Sequence, residues 1–208
     1  MIGRIVCGGP DLWLPKELDG FVIGVDRGAL YLVEQNIKCQ VAIGDFDSVS
    51  FEEKRIIKNK VKHFVELSAE KDMTDCEAAI QYAVANGCRE LHLYGVTGGR
   101  FDHQFAVVTL VLKYVKRDIR IFVENAQNKW FVLSPGKHEI EAENKRYLSF
   151  FALEAGVNAL TLAGVKYPLN GYELRVDDAL CVSNEVACGQ IAKVSFDAGY
   201  LLVVQSAD

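Results

Sequence analysis

The chain has 208 residues, half of them hydrophobic and a quarter charged, and its formal net charge is −5. These values are typical of a globular protein that is large enough to bury a sizeable core. No stretch is rich in lysine and arginine, and no apolar run is long enough to span a membrane, so neither nucleic acid nor a membrane is an expected partner.

The cysteine pattern argues against a zinc site and for a reducing compartment. The cysteines are Cys7, Cys39, Cys76, Cys88, Cys181 and Cys188. They form no Cys-x-x-Cys pair, and most lie inside apolar runs, as small buried residues do. The segment Met1–Val6 follows a strand pattern rather than that of a signal peptide. We therefore expect a cytoplasmic protein.

Apolar runs alternate with helical patterns in the first part of the chain. The predicted strands are Ile2–Cys7, Phe21–Val25, Val41–Ile43, Val61–Leu67, Glu90–Tyr94 and Ile119–Val123. Helices are predicted at Ala29–Gln35, from a cap at Ser50 to Lys58, after a cap at Thr74, and at Phe101–Val115. This alternation predicts an α/β fold with an open, mainly parallel sheet and flanking helices. Ligands of such sheets bind outside the carboxyl ends of the strands.

The pattern changes near Asn125. From Asn128 onward the apolar runs are short, rich in Val, Leu, Phe and Tyr, and separated by turn residues. Short strands without amphipathic helices predict a smaller all-β sandwich. We therefore expect an α/β domain over residues 1–125 and a β-sandwich domain over residues 126–208.

Two aspartates follow the third predicted strand. Asp45 and Asp47 are two residues apart, and side chains at i and i+2 of an extended segment point the same way. Both carboxylates can then bind one Mg²⁺ ion at about 2.1 Å. The alternative is an ordinary polar turn between strand and helix, with Ser48 or Ser50 as the cap.

A second polar segment contains Lys71, Asp72 and Asp75 around the Thr74 cap. This mixture suits a cation and a phosphate together, and the helix N-terminus adds free N–H groups for an anion. A carboxylate at Asp75 is also favoured by the helix dipole without any further function.

A third polar segment presents Arg100, Asp102 and His103 after two glycines. Glycine lets the backbone approach a ligand closely, and arginine offers a planar, permanently charged group for phosphate. The plainer interpretation is a glycine-rich turn, and His103 alone fits a structural role as well as a catalytic one. The chain has neither a Walker A loop nor a Gly-x-Gly-x-x-Gly motif, which disfavours P-loop kinases and Rossmann dehydrogenases.

Taken together, these motifs resemble those of the thiamin pyrophosphokinase family over nearly the whole chain. The matching segments are residues 24–29 (GVDRGA), 43–48 (IGDFDS), 70–75 (EKDMTD) and 95–103 (GVTGGRFDH). Residues 166–169 (KYPL) and 183–185 (SNE) look like the family's later signature, although 183–185 also fit a plain hairpin turn. Four motifs in order are far more specific than any one of them. One departure is Gln104–Val107, where an asparagine is common in the family.

The resemblance implies a reaction and an assembly. The reaction transfers the pyrophosphoryl group of ATP to the hydroxyl of thiamin, giving thiamin diphosphate and AMP, with Mg²⁺ as cofactor. The α/β domain would bind the nucleotide and the β-sandwich would bind thiamin. The assembly is a homodimer in which each active site is shared between the two subunits.

The resemblance also implies roles for individual residues. The Mg²⁺ ligands would be Asp45, Asp47 and Asp75. The catalytic residues would be Asp72, Arg100 and Asp102, with either aspartate as the acceptor of the hydroxyl proton. Nucleotide contacts would come from Asp26, Arg27, Lys71, Arg100 and His103, and thiamin contacts from Ser183 and Asn184.

Two other functions remain open at this point. A glycosyltransferase acting on a nucleotide sugar also uses an Asp-x-Asp pair, through a metal that bridges a diphosphate. A nucleotide- or thiamin-sensing module would keep the same binding residues and bind without turnover.

Overall fold

The computed structural model describes residues 1–141, 143, 145–186 and 190–208. The described chain divides into two compact units. The first comprises Met1–Tyr114 with Asp118–Ala126, and the second comprises Val115–Arg117 with Gln127–Asp208. Among the described residues, no helix is long and apolar enough to cross a membrane.

The cysteines differ in exposure. Cys39, Cys88 and Cys181 are buried, as expected of small apolar residues. Cys7 and Cys76 are partly exposed. The last cysteine of the sequence, Cys188, lies outside the described residues.

Parallel strands form the sheet of the first unit. They are β1 (Ile2–Val6), β2 (Phe21–Val25), β3 (Val41–Gly44), β4 (His63–Glu66), β5 (Glu90–Tyr94) and β6 (Arg120–Glu124). Their order across the sheet is β4-β3-β2-β1-β5-β6. Nearly every residue of β2 and β3 is buried, as expected of parallel strands that helices cover.

Helices connect these strands. They are α1 (Arg27–Glu34), α2 (Phe51–Lys60), α3 (Asp75–Ala85) and α4 (Phe101–Val115). Ser50 begins α2 with the predicted capping box, since its side chain and that of Glu53 each bond to the other's backbone N–H. At α3 the Thr74 hydroxyl accepts from the N–H of Glu77. The Glu77 carboxylate pairs with Lys113 and not with the N–H of Thr74, so the structure shows the Thr74 cap without the second bond of a capping box.

The boundary between α2 and β4 differs from the sequence prediction, which began a strand at Val61. The N–H of Val61 donates to the carbonyl of Ile57 at 3.1 Å, so the helix extends through Lys60. The strand begins later, at His63. A helical hydrogen bond therefore takes up Val61, the first residue of the predicted strand.

The path of the chain across the sheet reverses at β1. From β1 it passes through β2 and β3 to β4 at one edge, and then returns to the other side of β1 with β5 and β6. Connections leaving neighbouring strands in opposite directions open a crevice at the carboxyl ends, where ligands of such sheets bind. The candidate site is therefore expected at the carboxyl end of β1, between the loops that follow β2 and β5.

From Gln127 onward, the described residues form β-strands and the turns between them. The strands are β7 (Asn128–Leu133), β8 (Gly136–Glu141), β9 (Tyr147–Ala163), β10 (Leu169–Leu174), β11 (Asn184–Glu185), β12 (Ile191–Phe196) and β13 (Ala198–Ser206). The order is β7-β13-β9-β12-β8, and β10 and β11 also pair with β9. The pairs are antiparallel.

The long strand β9 joins the two sheets of the second unit. Its first half pairs with β13 and its second half pairs with β10 and β12. Leu148, Phe150 and Ala152 alternate along the buried face of the first half. The predicted fold class, an open, mainly parallel α/β sheet followed by a smaller all-β sandwich, is confirmed.

Candidate active site

A cavity of about 480 Å³ lies in the first unit at the carboxyl ends of β1, β2 and β5. Its walls come from the loops after these strands and from the first turns of α3 and α4. Its volume is that of a small-molecule site. The predicted site residues that line it are Asp26, Arg27, Asp75, Arg100 and His103.

An acidic cluster stands beside this cavity. One carboxylate oxygen from each of Asp26, Asp45 and Asp75 lies within 4.8 Å of the other two. Asp26 follows β2, Asp45 follows β3 and Asp75 is the first residue of α3. The parallel sheet therefore brings together carboxylates that are up to 49 positions apart in the sequence, since 75 − 26 = 49.

Asp26 is the member of this cluster that the sequence assigned to a different role, as a nucleotide contact. Its Oδ1 accepts a hydrogen bond from the N–H of Phe46 at 3.0 Å. The pKa of Asp26 is raised to about 6, chiefly by burial and also by the charges of Asp75, Asp45 and Asp47, while the Phe46 hydrogen bond acts to lower it. Asp26 and Asp45 each follow a strand of the parallel sheet, and this shared position is the sequence feature that could have assigned Asp26 to the acidic cluster.

Asp47 lies outside the cluster. Phe46 has φ of 59°, a left-handed conformation, so the expectation of an extended segment with Asp45 and Asp47 on one side is wrong. The N–H of Asp47 donates to Oδ1 of Asp45 at 3.1 Å, and the residue is exposed. A role for Asp47 as a metal ligand stays a prediction.

Lys71 supplies positive charge inside the cluster. Its Nζ lies 3.0 Å from Oδ1 of Asp75 and 3.6 Å from Oδ2 of Asp45. The pKa of Asp45 is lowered, first by the hydrogen bond from the Asp47 N–H and then by Lys71. Burial acts to lower the pKa of Lys71, but the carboxylates of Asp75 and Asp45 raise it overall.

Oδ1 of Asp75 offers the sharpest test of whether the cluster fits a cation. This atom is buried and is assigned no hydrogen bond among the described residues, although Nζ of Lys71 lies 3.0 Å from it. A buried carboxylate oxygen of this kind needs a cation beside it, a place that the Lys71 ammonium group fills here and that a metal ion can also fill. Carboxylate oxygens are also the ligands that Mg²⁺ prefers. The residues present therefore fit a Mg²⁺ ion.

Arg100 and Asp102 form an exposed pair at the start of α4. The guanidinium reaches both carboxylate oxygens, at 3.1 Å and 2.5 Å, and the two side chains are 72% and 61% exposed. The Arg100 hydrogen bonds lower the pKa of Asp102. His103 is exposed and its N–H donates to Asp102, while Asp72 is exposed in the loop before α3. Arg27 is exposed and donates to the carbonyl of Ser48.

The remaining predicted residues belong to the second unit. Ser183 is exposed, has φ of 58° and donates its N–H to the hydroxyl of Ser149. Asn184 is 3% exposed, and its side chain bonds to both the N–H and the carbonyl of Tyr167. Asn184 and Glu185 form a short strand paired with β9, so the hairpin-turn interpretation holds only for the residues before them.

Comparison with known proteins identifies two matched regions in order. The family model described as thiamin pyrophosphokinase, catalytic domain, matches residues 16–123. The model described as thiamin pyrophosphokinase, vitamin B1 binding domain, matches residues 137–201. Thiamine pyrophosphokinase of Bacillus subtilis (strain 168) is 37% identical, over 99% of this chain and 98% of that protein.

Solved structures give the same result. The crystal structure of thiamine pyrophosphokinase from Bacillus subtilis matches with a TM-score of 0.91 at 35% identity, over the full length of both chains. A thiamin pyrophosphokinase family protein from Enterococcus faecalis matches with a TM-score of 0.92 at 33% identity, again over both full lengths. The chain therefore belongs to the thiamin pyrophosphokinase family and is an enzyme, as its sequence motifs predicted.

Proposed function

We propose that this enzyme transfers the pyrophosphoryl group of ATP to the hydroxyl of thiamin at the cavity of the first unit, with Mg²⁺ held by the acidic cluster. The observation that carries the proposal is the placement of Asp26, Asp45 and Asp75 beside a cavity of about 480 Å³ at the strand ends. Polyphosphate binding by a chain of net charge −5 needs cations to offset repulsion.

The reaction forms one phosphorus–oxygen bond and breaks another. The thiamin hydroxyl oxygen attacks the β-phosphorus of ATP, and the bond from that phosphorus to the bridging oxygen of the α-phosphate breaks. The bridging oxygen leaves with AMP, and the hydroxyl proton passes to a carboxylate. Catalysis of this kind depends mainly on positioning and on stabilising charge.

Asp26, Asp45 and Asp75 are the residues proposed to hold Mg²⁺. When bound, Mg²⁺ would neutralise phosphate charge and hold the triphosphate in a fixed orientation. Asp47 is retained as a further candidate ligand, since its exposed side chain follows Asp45 by two residues.

Arg100 is proposed to exchange its partner during binding. Its bond with Asp102 is exposed, and exposed ion pairs contribute little to stability, so a phosphate can replace the carboxylate at small cost. That exchange would remove the group that lowers the pKa of Asp102 and so make this carboxylate a better proton acceptor. Asp72 is the alternative acceptor. Arg27, Lys71 and His103 are proposed phosphate or nucleotide contacts.

Thiamin is proposed to bind at the second unit, near Ser183 and residues 166–169, which include Tyr167. The polar side-chain atoms of Asn184 are hydrogen-bonded to the backbone of Tyr167 and Glu185. We therefore propose that Asn184 positions the Tyr167 backbone rather than contacting thiamin directly. The protein is further proposed to be a homodimer, with the second unit of one copy serving the first unit of the other. Family resemblance is the support for this assembly.

The reaction is tested by incubating the protein with thiamin, ATP and Mg²⁺ and separating the products by chromatography. Equimolar AMP and thiamin diphosphate are expected. ADP with thiamin monophosphate would identify a simple kinase instead. Stabilisation by both ligands without AMP would identify a sensing module, and turnover of a nucleotide sugar would identify a glycosyltransferase.

A further inference from the structure

Lys71 sits where a cation would sit. Its Nζ lies 3.0 Å from Oδ1 of Asp75 and 3.6 Å from Oδ2 of Asp45, and it donates a hydrogen bond to the carbonyl of Ser68 at 3.1 Å. The ammonium group is therefore surrounded by oxygens that come from separate segments of the chain. Only 17% of the side chain is exposed, so the contact is more enclosed than an ordinary surface ion pair.

The neighbouring carboxylates explain why the ammonium is held there. Asp26, Asp45 and Asp75 converge within 4.8 Å, and like charges at that separation repel one another unless a cation offsets them. Lys71 precedes Asp75 by four residues, and this spacing lets its side chain fold back over the start of α3. The chain thus supplies its own positive charge to the cluster.

We propose that Lys71 is an internal counter-cation, occupying the gap between Asp45 and Asp75 that a divalent ion takes, and that it leaves this gap when the ion binds. The inference deepens the proposed function and rests on it. A metal bound to both carboxylates would lie too close to the ammonium group for the two cations to share the gap. The flexible four-carbon stem of lysine permits the departure.

This exchange has a consequence for nucleotide binding. Once displaced, the ammonium group needs a new anionic partner, and a triphosphate beside the cavity provides one. Divalent cation alone should therefore bind weakly, because it must break the Lys71 contacts without replacing them. Cation and nucleotide together should bind more tightly than either alone, since the nucleotide accepts the displaced charge.

The test measures Mn²⁺, as a probe for Mg²⁺, by electron paramagnetic resonance without nucleotide. Lys71→Met and Lys71→Gln should each bind Mn²⁺ about tenfold more tightly than wild type, a change that corresponds to about 1.4 kcal/mol. Lys71→Arg keeps the charge and should stay close to wild type. The control is Lys116→Met, which removes a lysine paired with Glu154 in the second unit and should leave Mn²⁺ binding unchanged.

A second measurement follows thermal unfolding in EDTA and in excess Mn²⁺. Lys71→Met should unfold at a lower temperature than wild type in EDTA, and Mn²⁺ should restore its unfolding temperature, whereas any effect of Lys116→Met should not respond to Mn²⁺. Equal or weaker Mn²⁺ binding by both neutral variants, or no measurable binding, would overturn the proposal. The product assay judges the reaction separately, because AMP formation by wild type does not depend on whether Lys71 competes with the ion.

Discussion

Gly44 makes room for Asp26: a Cβ atom built on Gly44 would overlap Oδ1 of the Asp26 carboxylate. The same oxygen accepts the N–H of Phe46, so the end of β3 and the end of β2 are fitted to each other at this point. The position of one member of the acidic cluster therefore depends on the absence of a side chain at the next strand.

Gly44→Ala should displace the Asp26 carboxylate. Gly44 also has φ of 152°, which disfavours other residues, so we expect a loss of about 1–3 kcal/mol in the free energy of unfolding. Weaker Mn²⁺ binding should accompany this loss. The measurements are urea unfolding and Mn²⁺ titration.

Gly171→Ala is the matched control for this change. Gly171 has φ of 64°, but within the described part of the chain nothing lies within 4 Å of its added Cβ. It should lose only about 1 kcal/mol to backbone strain and leave Mn²⁺ binding unchanged. Equal effects of the two substitutions on Mn²⁺ would contradict the fit between Gly44 and Asp26.

Asp26→Asn should stabilise the protein at neutral pH when divalent cations are removed. The pKa of Asp26 is about 6 in the folded protein, above its ordinary 3.8, so folding favours the protonated form. The carboxyl group contributes this stability below pH about 4 and loses it as the pH rises through about 6. Asparagine carries no charge and can keep the bond from Phe46. Above pH 7 the variant should gain roughly 1–2 kcal/mol, after allowance for solvent screening.

The check for Asp26 is urea unfolding of both proteins in EDTA between pH 4 and pH 8. The difference in the free energy of unfolding between Asp26→Asn and wild type should be small at pH 4, grow as the pH rises through about 6 and then level off. A difference that stays constant across this range would mean that ionisation of Asp26 is not its source. Mn²⁺ should reverse the order by stabilising the wild type more than the variant.

Much of the site was predictable because strand ends in a parallel sheet meet at one edge. Asp45 follows a strand and Asp75 begins a helix in patterns that sequence alone reveals, and the cluster contains both. The choice between Asp26 and Asp47 was not predictable. It depends on the left-handed backbone of Phe46, which is held by the Asp26 carboxylate and by stacking on Phe64 at 4.5 Å.

In the second unit, too, the sequence does not reveal the partner of a candidate residue. The sequence marks Asn184 as a polar residue between apolar ones, but its hydrogen bonds reach Tyr167, 17 positions earlier. The bridge between Val165 and Val186 and the backbone bond from the Lys166 N–H to the Glu185 carbonyl bring the two segments together, and local patterns carry no information about such pairing. Sequence motifs thus mark the candidate residues, whereas the hydrogen-bond partners of those residues depend on tertiary structure.

Asp45→Asn should reduce turnover more than Asp47→Asn. Asp45 lies in the acidic cluster and pairs with Lys71, whereas Asp47 is exposed and offers its backbone N–H to Asp45. Loss of a metal ligand should cost about 100-fold or more in kcat/KM, since a bound metal supplies several kcal/mol of charge stabilisation. Asp47→Asn should cost about tenfold or less by the same reasoning. Steady-state AMP formation at several Mg²⁺ concentrations measures both, and an equal loss would restore Asp47 as a ligand.

Asn184→Asp should weaken thiamin binding without affecting ATP. The change keeps an acceptor for the N–H of Tyr167 but sets a carboxylate oxygen against its carbonyl, where the amide now donates at 2.8 Å. Because the residue is 3% exposed, we expect a loss of about 1–3 kcal/mol in stability and a higher KM for thiamin. Asn170→Asp, at an exposed position of the same unit, should change neither quantity. A raised KM for ATP would place Asn184 in a different role.

Mixing two impaired variants tests whether active sites are shared between copies of the chain. Asp45→Asn damages the first unit and Asn184→Asp damages the second, so a mixed dimer with shared sites contains one site built from two intact units. Random pairing makes half of the dimers mixed, each with one working site of two, so about a quarter of wild-type activity should return. The assay uses co-expressed, differently tagged chains and thiamin well below the KM of Asn184→Asp. Sites confined to single chains would give no more activity than the two variants measured apart.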